Sequence, residues 1–115
     1  MTQDNTELKT IWEADSTHPK LAAEIRDTLR QVVDPELGLN IIELGLIREV
    51  HIEDESMTVK MILTTPFCPY GPALLEMARA KAEEVANKPT KIELGMEMWD
   101  QSMMEDEAAA EWGLF

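Results

Sequence analysis

Cysteine is nearly absent from this chain: Cys68 is the only one in 115 residues. A disulfide within the chain is therefore excluded, and one thiol remains for nucleophilic or metal chemistry. Such usage fits a reducing compartment, so the cytoplasm is the expected location. Basic residues are also scarce, 10 Lys and Arg against 23 Asp and Glu, for a formal charge of −13. A surface of that sign repels phosphate backbones and anionic membranes, so no nucleic acid and no membrane is expected as a partner. No apolar run approaches the ~20 residues of a membrane span. The opening MTQDNTELKT lacks the basic and then apolar layout of a signal peptide. The two histidines, His18 and His51, have no metal-ligand spacing with each other or with Cys68.

What is present is an ordinary globular composition, 44% apolar and 29% charged, at the size of one domain. Residues 1–15 read as a polar N-terminal extension, in which Leu8, Ile11 and Trp12 have helix spacing and the tryptophan docks. The domain spans 16–115. Its first helix is predicted from Ser16 and Thr17, with Pro19 in the first turn, to about Val33, with Leu21, Ile25, Leu29 and Val32 as its apolar stripe. Asp34-Pro35-Glu36-Leu37-Gly38-Leu39-Asn40 and the apolar residues after it form an ordered connector.

Strands are predicted over 46–52 and 57–65, joined by the acidic turn 53–56. Pairing Ile52 with Met57 also matches Val50 with Val59 and Glu49 with Lys60, but it leaves Arg48 opposite Met61 on the apolar face. A second helix runs from about Pro72 to Asn87, its stripe Leu74, Met77, Ala78, Lys81, Ala82 and Val85. The alternation Ile92, Leu94, Met96, Met98 predicts a third strand with those four residues in the core. Ser102-Met103-Met104-Glu105 has the spacing of a capping box, opening a last helix that ends near Gly113. The predicted fold is α+β, in the order helix-strand-strand-helix-strand-helix. Its three-stranded sheet carries helices on one face.

Cys68 falls between a strand and a helix start, where unpaired backbone N–H groups and the helix dipole favour a thiolate. Pro66, Pro69 and Pro72 stiffen its loop. A lone cysteine is equally well a small buried hydrophobe, and spacing alone leaves the two readings level. Asp34 and Glu36 flank a proline at a bend, where they could support a cation or thiol site or simply end the helix. Thr64 and Thr65 could donate hydrogen bonds beside Cys68 or merely close a strand. One thiolate is far short of the four ligands of a stable zinc or iron-sulfur site, so no permanently bound cofactor is expected. Most of the eight methionines are expected to pack in the core rather than bind soft metals.

Four segments in order, Val33-Asp34-Pro35-Glu36, Asn40-Ile41-Ile42-Glu43-Leu44-Gly45-Leu46-Ile47, Leu63-Thr64-Thr65-Pro66-Phe67-Cys68-Pro69, and Trp99-Asp100 with Met103-Met104, resemble the MIP18 (DUF59) family of iron-sulfur cluster assembly factors. That family has SufT-like and PaaD-like members. The resemblance covers residues 21 to 115 and implies a compact cluster-assembly domain. Cys68 matches the family's reactive cysteine, and Asp34 and Glu36 match its acidic loop. It departs at position 48, where Arg replaces a common aromatic, and after Trp99-Asp100, where a Pro- and Trp-rich stretch is shortened to Gln101-Ser102. The function it implies is iron-sulfur cluster assembly or maturation through Cys68, with iron or a cluster held transiently. Expected partners are the assembly machinery or client apoproteins, with room for a homodimer. The alternative is a PaaD-like adaptor for a multicomponent oxygenase, without metal chemistry.

Overall fold

The computed structural model describes residues 10–65 and 69–111. Cys68, Pro66 and Phe67, together with Leu8 and the expected helix end near Gly113, lie outside the described residues. The element order is α1 (Ala14–Thr17), α2 (Pro19–Leu29), β1 (Val33–Asp34), β2 (Leu39–Asn40), β3 (Ile47–Ile52), β4 (Met57–Met61), α3 (Gly71–Ala86), β5 (Thr90–Leu94) and α4 (Asp106–Glu111). A 3-10 turn, Gln101–Met103, precedes the last helix. The α+β fold with a three-stranded sheet is as expected: β3 pairs antiparallel with β4, and β4 pairs parallel with β5.

The single helix expected over 16–33 is two elements. His18 has the non-helical backbone that separates α1 from α2, and Pro19 opens α2, where the N–H it lacks would have had no helical partner. Ala22, Ile25 and Leu29 are buried, and the helix ends at Leu29 because the chain turns into β1. Its short partner β2 makes a two-stranded ladder, Val33 to Asn40 and Asp34 to Leu39, within the connector.

In α3 the buried row is Leu74, Ala78, Ala82 and Ala86, every fourth residue. The small alanines let the helix sit close on the sheet, and Met77, expected on the stripe, is outside it. Asn87 takes the left-handed conformation that closes the helix.

The hairpin register matches expectation from Ile52–Met57 back to Glu49–Lys60, and then a bulge intervenes. Ile47, not Arg48, faces Met61. The extra residue turns Arg48 out of the core, where its guanidinium reaches Gly45 O at 2.9 Å, Thr10 Oγ1 at 3.1 Å and Glu97 Oε1 at 3.1 Å. The third strand is shorter than expected, and Leu94, expected in the core, is 60% exposed. Its ladder stops at Leu94, and Met96 and Met98 are 96% and 82% exposed rather than buried. Parallel pairing ends where β4 ends, at Met61, so the alternation continues past the sheet with no described residue to cover it.

Trp12 is 2% exposed, and its indole N–H donates to Ile47 O at 3.1 Å, docking the chain before α1 onto β3. The core lies between the helices and the sheet, with Ile25, Leu29, Val50, Val59, Met61 and Leu74 among its members. No helix among the described residues is long and apolar enough to cross a membrane.

Candidate functional site at one end of the sheet

Strand directions decide what meets at each end of the sheet. Because β3 is antiparallel to β4 and β5 is parallel to it, the start of β3 and the ends of β4 and β5 share one end. The chain leaves β4 there through Ile62–Thr65 and comes back as α3, whose N-terminus lies at the same end because α3 returns the chain to the start of β5. Leu63 and Gly71, one on each foot of the intervening loop, are in contact: a Cβ on Gly71 would lie 2.8 Å from Leu63 Cδ1. Cys68 belongs to the loop between these feet. Ends of parallel strands are where open sheets usually collect ligands.

Thr64 and Thr65 form the outgoing foot, both half-buried. On the returning foot α3 starts with Gly71 and Pro72 and has no acidic residue in its first turn, so no carboxylate of its own offsets the positive end of its dipole.

Asp34 and Glu36 differ in role. Asp34 is 1% exposed, and its Oδ1 accepts the N–H of Glu36 at 2.8 Å, the Asx turn that Asp and Asn favour. Its own carbonyl accepts the Gly38 N–H at 2.8 Å, and Gly38 has φ +72°, a conformation glycine adopts freely. Glu36 is exposed. Asp34 thus shapes its loop, while Glu36 offers a carboxylate to solvent. A relay of backbone hydrogen bonds ties this loop to the foot carrying the threonines: Ile41 N to Val32 O at 2.9 Å, Leu46 N to Ile41 O at 3.0 Å, and Ile62 N to Leu46 O at 2.8 Å.

The scaffold of this end is a turn over 40–45, within the ordered connector expected there. Asn40 Oδ1 accepts the N–H groups of Ile42 at 3.0 Å and Glu43 at 2.7 Å, and Glu43 Oε1 accepts the N–H of Asn40 at 2.9 Å. This is a reciprocal capping box, and the Asn-x-x-Glu spacing was its signal. The box expected at Ser102 and Glu105 does not form. Asp100 caps the 3-10 turn instead, accepting Ser102 N–H at 2.7 Å, and Glu105 turns away to a two-pronged ion pair with Arg30 at 3.0 and 2.8 Å. That pair raises the Arg30 pKa above its ordinary value, chiefly through the hydrogen bonds to Glu105.

Three bonds or contacts bring residues 99–105 onto the turn: Trp99 Nε1 to Leu44 O at 2.7 Å, Glu105 N to Glu43 O at 2.9 Å, and Met103 O against Gly45. Beneath them, a cavity of about 20 Å³ bordered by Trp12, Arg26, Gly45 and Glu105 has room for about one water. The described residues hold no group of three His, Cys, Asp or Glu placed to bind a metal ion.

Comparison with known proteins agrees with this architecture. Residues 22–94 match the family described as iron-sulfur cluster assembly protein. The chain is similar to an Fe-S protein maturation auxiliary factor of Porphyromonas gingivalis, 43% identical over 88 residues that cover 74% of this chain and 84% of that protein. It is also similar to the Fe-S protein maturation auxiliary factor YitW of Bacillus subtilis, 37% identical over 64% of this chain and 74% of that one. A crystal structure of a DUF59 domain from Bacillus anthracis shares the fold, with TM-score 0.76 at 19% identity over 87% of this chain and 98% of its own. This chain belongs to the iron-sulfur cluster assembly protein family.

Proposed function

We propose that this protein matures iron-sulfur proteins by using the Cys68 thiolate as a transient ligand for iron or a cluster in passage to a client apoprotein. The observation that carries the reading is positional: the only cysteine lies between the feet of a loop at the end of β4 and the start of α3, in a chain of this family. The positive end of α3, without an acidic side chain in its first turn, favours the thiolate. One thiolate supplies about a quarter of the ligands a cluster needs, so the remaining ligands come from the partner. That suits hand-over and not storage. The relatives named as maturation auxiliary factors support the same assignment.

Within this reading, Thr64 and Thr65 put hydroxyls on the foot of chain that leads to Cys68, Asp34 holds the neighbouring loop in shape, and Glu36 adds a solvent-facing carboxylate. Iron or cluster is cargo. The first test is alkylation of Cys68 by iodoacetamide across pH 5 to 9. The expected rate profile has its midpoint below the ~8.5 of an ordinary thiol. A thiol that reacts slowly across the whole range, as a buried one does, would overturn the cysteine mechanism and favour an adaptor.

A further inference from the structure

We infer that the segment from Leu94 to Trp99 is a docking surface for a client polypeptide segment carrying apolar side chains among lysines and arginines. The inference names the partner chemistry of the site proposed above and rests on that reading.

The segment is built to keep its methionines outside. Alternate residues are anchored to the rest of the domain: Gly95 N–H donates to Met61 O at 2.8 Å, Glu97 accepts from Arg48 at 3.1 Å, and the Trp99 indole N–H donates to Leu44 O at 2.7 Å. Gly95 lies so close to the sheet end that a Cβ there would come within 2.9 Å of Ile62 Cγ2. Met96 and Met98, between these anchors, are 96% and 82% exposed, and Leu94 just before them is 60% exposed. Turning either methionine inward would require releasing an anchor. The strap crosses the end of the sheet where residues 62–65 and 69–71 frame the Cys68 loop, so a polypeptide lying on it is brought beside that loop.

Area and charge choose the occupant. Three such side chains present on the order of 400 Å² of apolar surface, a size at which exposed patches are commonly functional. A stable dimer buries roughly 800 Å² on each partner, about twice as much. A second copy would also bring another −13 charge to the contact, whereas a basic segment is drawn in. The charged groups bordering the methionines are Glu93, Glu97 and Asp100 with Arg48, Lys60 and Lys91: Arg48 pairs with Glu97 at 3.1 Å, Lys91 with Glu93 at 3.6 Å, and Lys60 lies against Gly95, so the pull on a basic segment comes from the net charge of the chain and not from the strap alone. Unbranched thioether side chains repack against different apolar partners, which suits a factor serving several clients.

The test uses the full chain labelled with ¹³C at the methionine methyls and titrated with a twelve-residue peptide of alternating leucine and lysine. The Met96 and Met98 methyl signals are expected to shift, and the affinity to fall at least tenfold in Met96→Gln/Met98→Gln and with added salt. A leucine and glutamate peptide should leave them in place. Shifts that are absent, or peptide binding by calorimetry that survives the double substitution, overturn the inference. So do shifts driven by protein concentration alone, which would mean a second copy, and shifts caused by removing residues 112–115, which would mean the chain's own tail sits there. In cells depleted of the native protein, the double variant should lower client cluster occupancy while its Cys68 alkylation profile stays unchanged. If Cys68→Ser complements fully but the peptide still binds the strap, the cysteine reading fails and the docking surface stands.

Discussion

The indole N–H of Trp99 donates to the carbonyl of Leu44 over 2.7 Å, the first of the contacts that hold the chain after β5 to the turn before β3. Gly45, the next residue along, shows how tight the union is. It has φ +75°, and a Cβ there would lie 2.1 Å from Met103 O. Gly38 has nearly the same backbone, φ +72°, with no atom of the described residues within 4 Å of its absent side chain.

These two glycines make a controlled pair. Gly38→Ala should cost about 1–2 kcal/mol, the penalty of a left-handed backbone alone. Gly45→Ala adds a backbone clash and should cost more than about 3 kcal/mol, or release residues 99–105 from the turn. Chemical denaturation of both variants checks the difference. Equal losses would mean the contact between Gly45 and Met103 is not tight in solution.

Arg26 ties the N-terminal side of the molecule together. Its guanidinium lies 3.8 Å from the centre of the Trp12 ring and pairs with both carboxylate oxygens of Asp15 at 2.9 and 3.2 Å, while Asp15 also accepts the Trp12 N–H at 2.7 Å. Burial opposes ionisation of Asp15, but the bonds from Arg26 and Trp12 prevail and hold its pKa below the ordinary value. A depressed carboxylate stabilises the fold above its unfolded pKa of ~3.9, and that contribution fades as pH falls through the lower folded value. Asp15→Ala should therefore cost about 3 kcal/mol at neutral pH by leaving Arg26 unpaired. It should also flatten the acid limb of the stability curve. An unchanged acid limb would remove Asp15 from this role.

His51 makes the opposite kind of pH dependence. Its ring accepts or donates at both nitrogens, Nδ1 to Glu13 Oε1 at 2.8 Å and Nε2 to Glu53 Oε2 at 3.3 Å. The hydrogen bond with Glu13, then that with Glu53, raises its pKa above the ordinary value. The stabilisation is complete below the unfolded pKa of ~6.5 and is lost as pH rises through the raised folded value. NMR titration of the imidazole should give a midpoint above ~6.5 that falls in Glu13→Gln. A midpoint at or below that figure would contradict the clasp.

Much of this architecture is legible along the chain where one local rule governs. Alternation located β3 and β4, and matching Val50 with Val59 and Glu49 with Lys60 gave their register from Glu49 to Ile52. The same rule failed at Met96 and Met98 because alternation reports that two faces differ, not that a neighbour covers one of them. Arg48 looked like a charge on the core face until the bulge moved it, and a bulge leaves no periodic trace in six residues. Ser102 and Glu105 carried a capping spacing that lost to Asp100 and to Arg30, which is 75 positions away from Glu105. Such long-range competition is invisible to local pattern. Of the candidate site, the bend at Asp34, Pro35 and Glu36 was legible, the Asx turn that Asp34 makes there was not, and the position of Cys68 before a helix follows from the order of β4 and α3.

The central claim is that Cys68 carries the cargo. The direct measurement is the cluster occupancy of a client [4Fe–4S] enzyme, by iron and sulfide content, in cells depleted of the native protein and complemented with wild type or Cys68→Ser at equal abundance. Wild type should restore occupancy and Cys68→Ser should leave it at the depleted level, with the variant's thermal stability unchanged. Full restoration by Cys68→Ser would contradict the account.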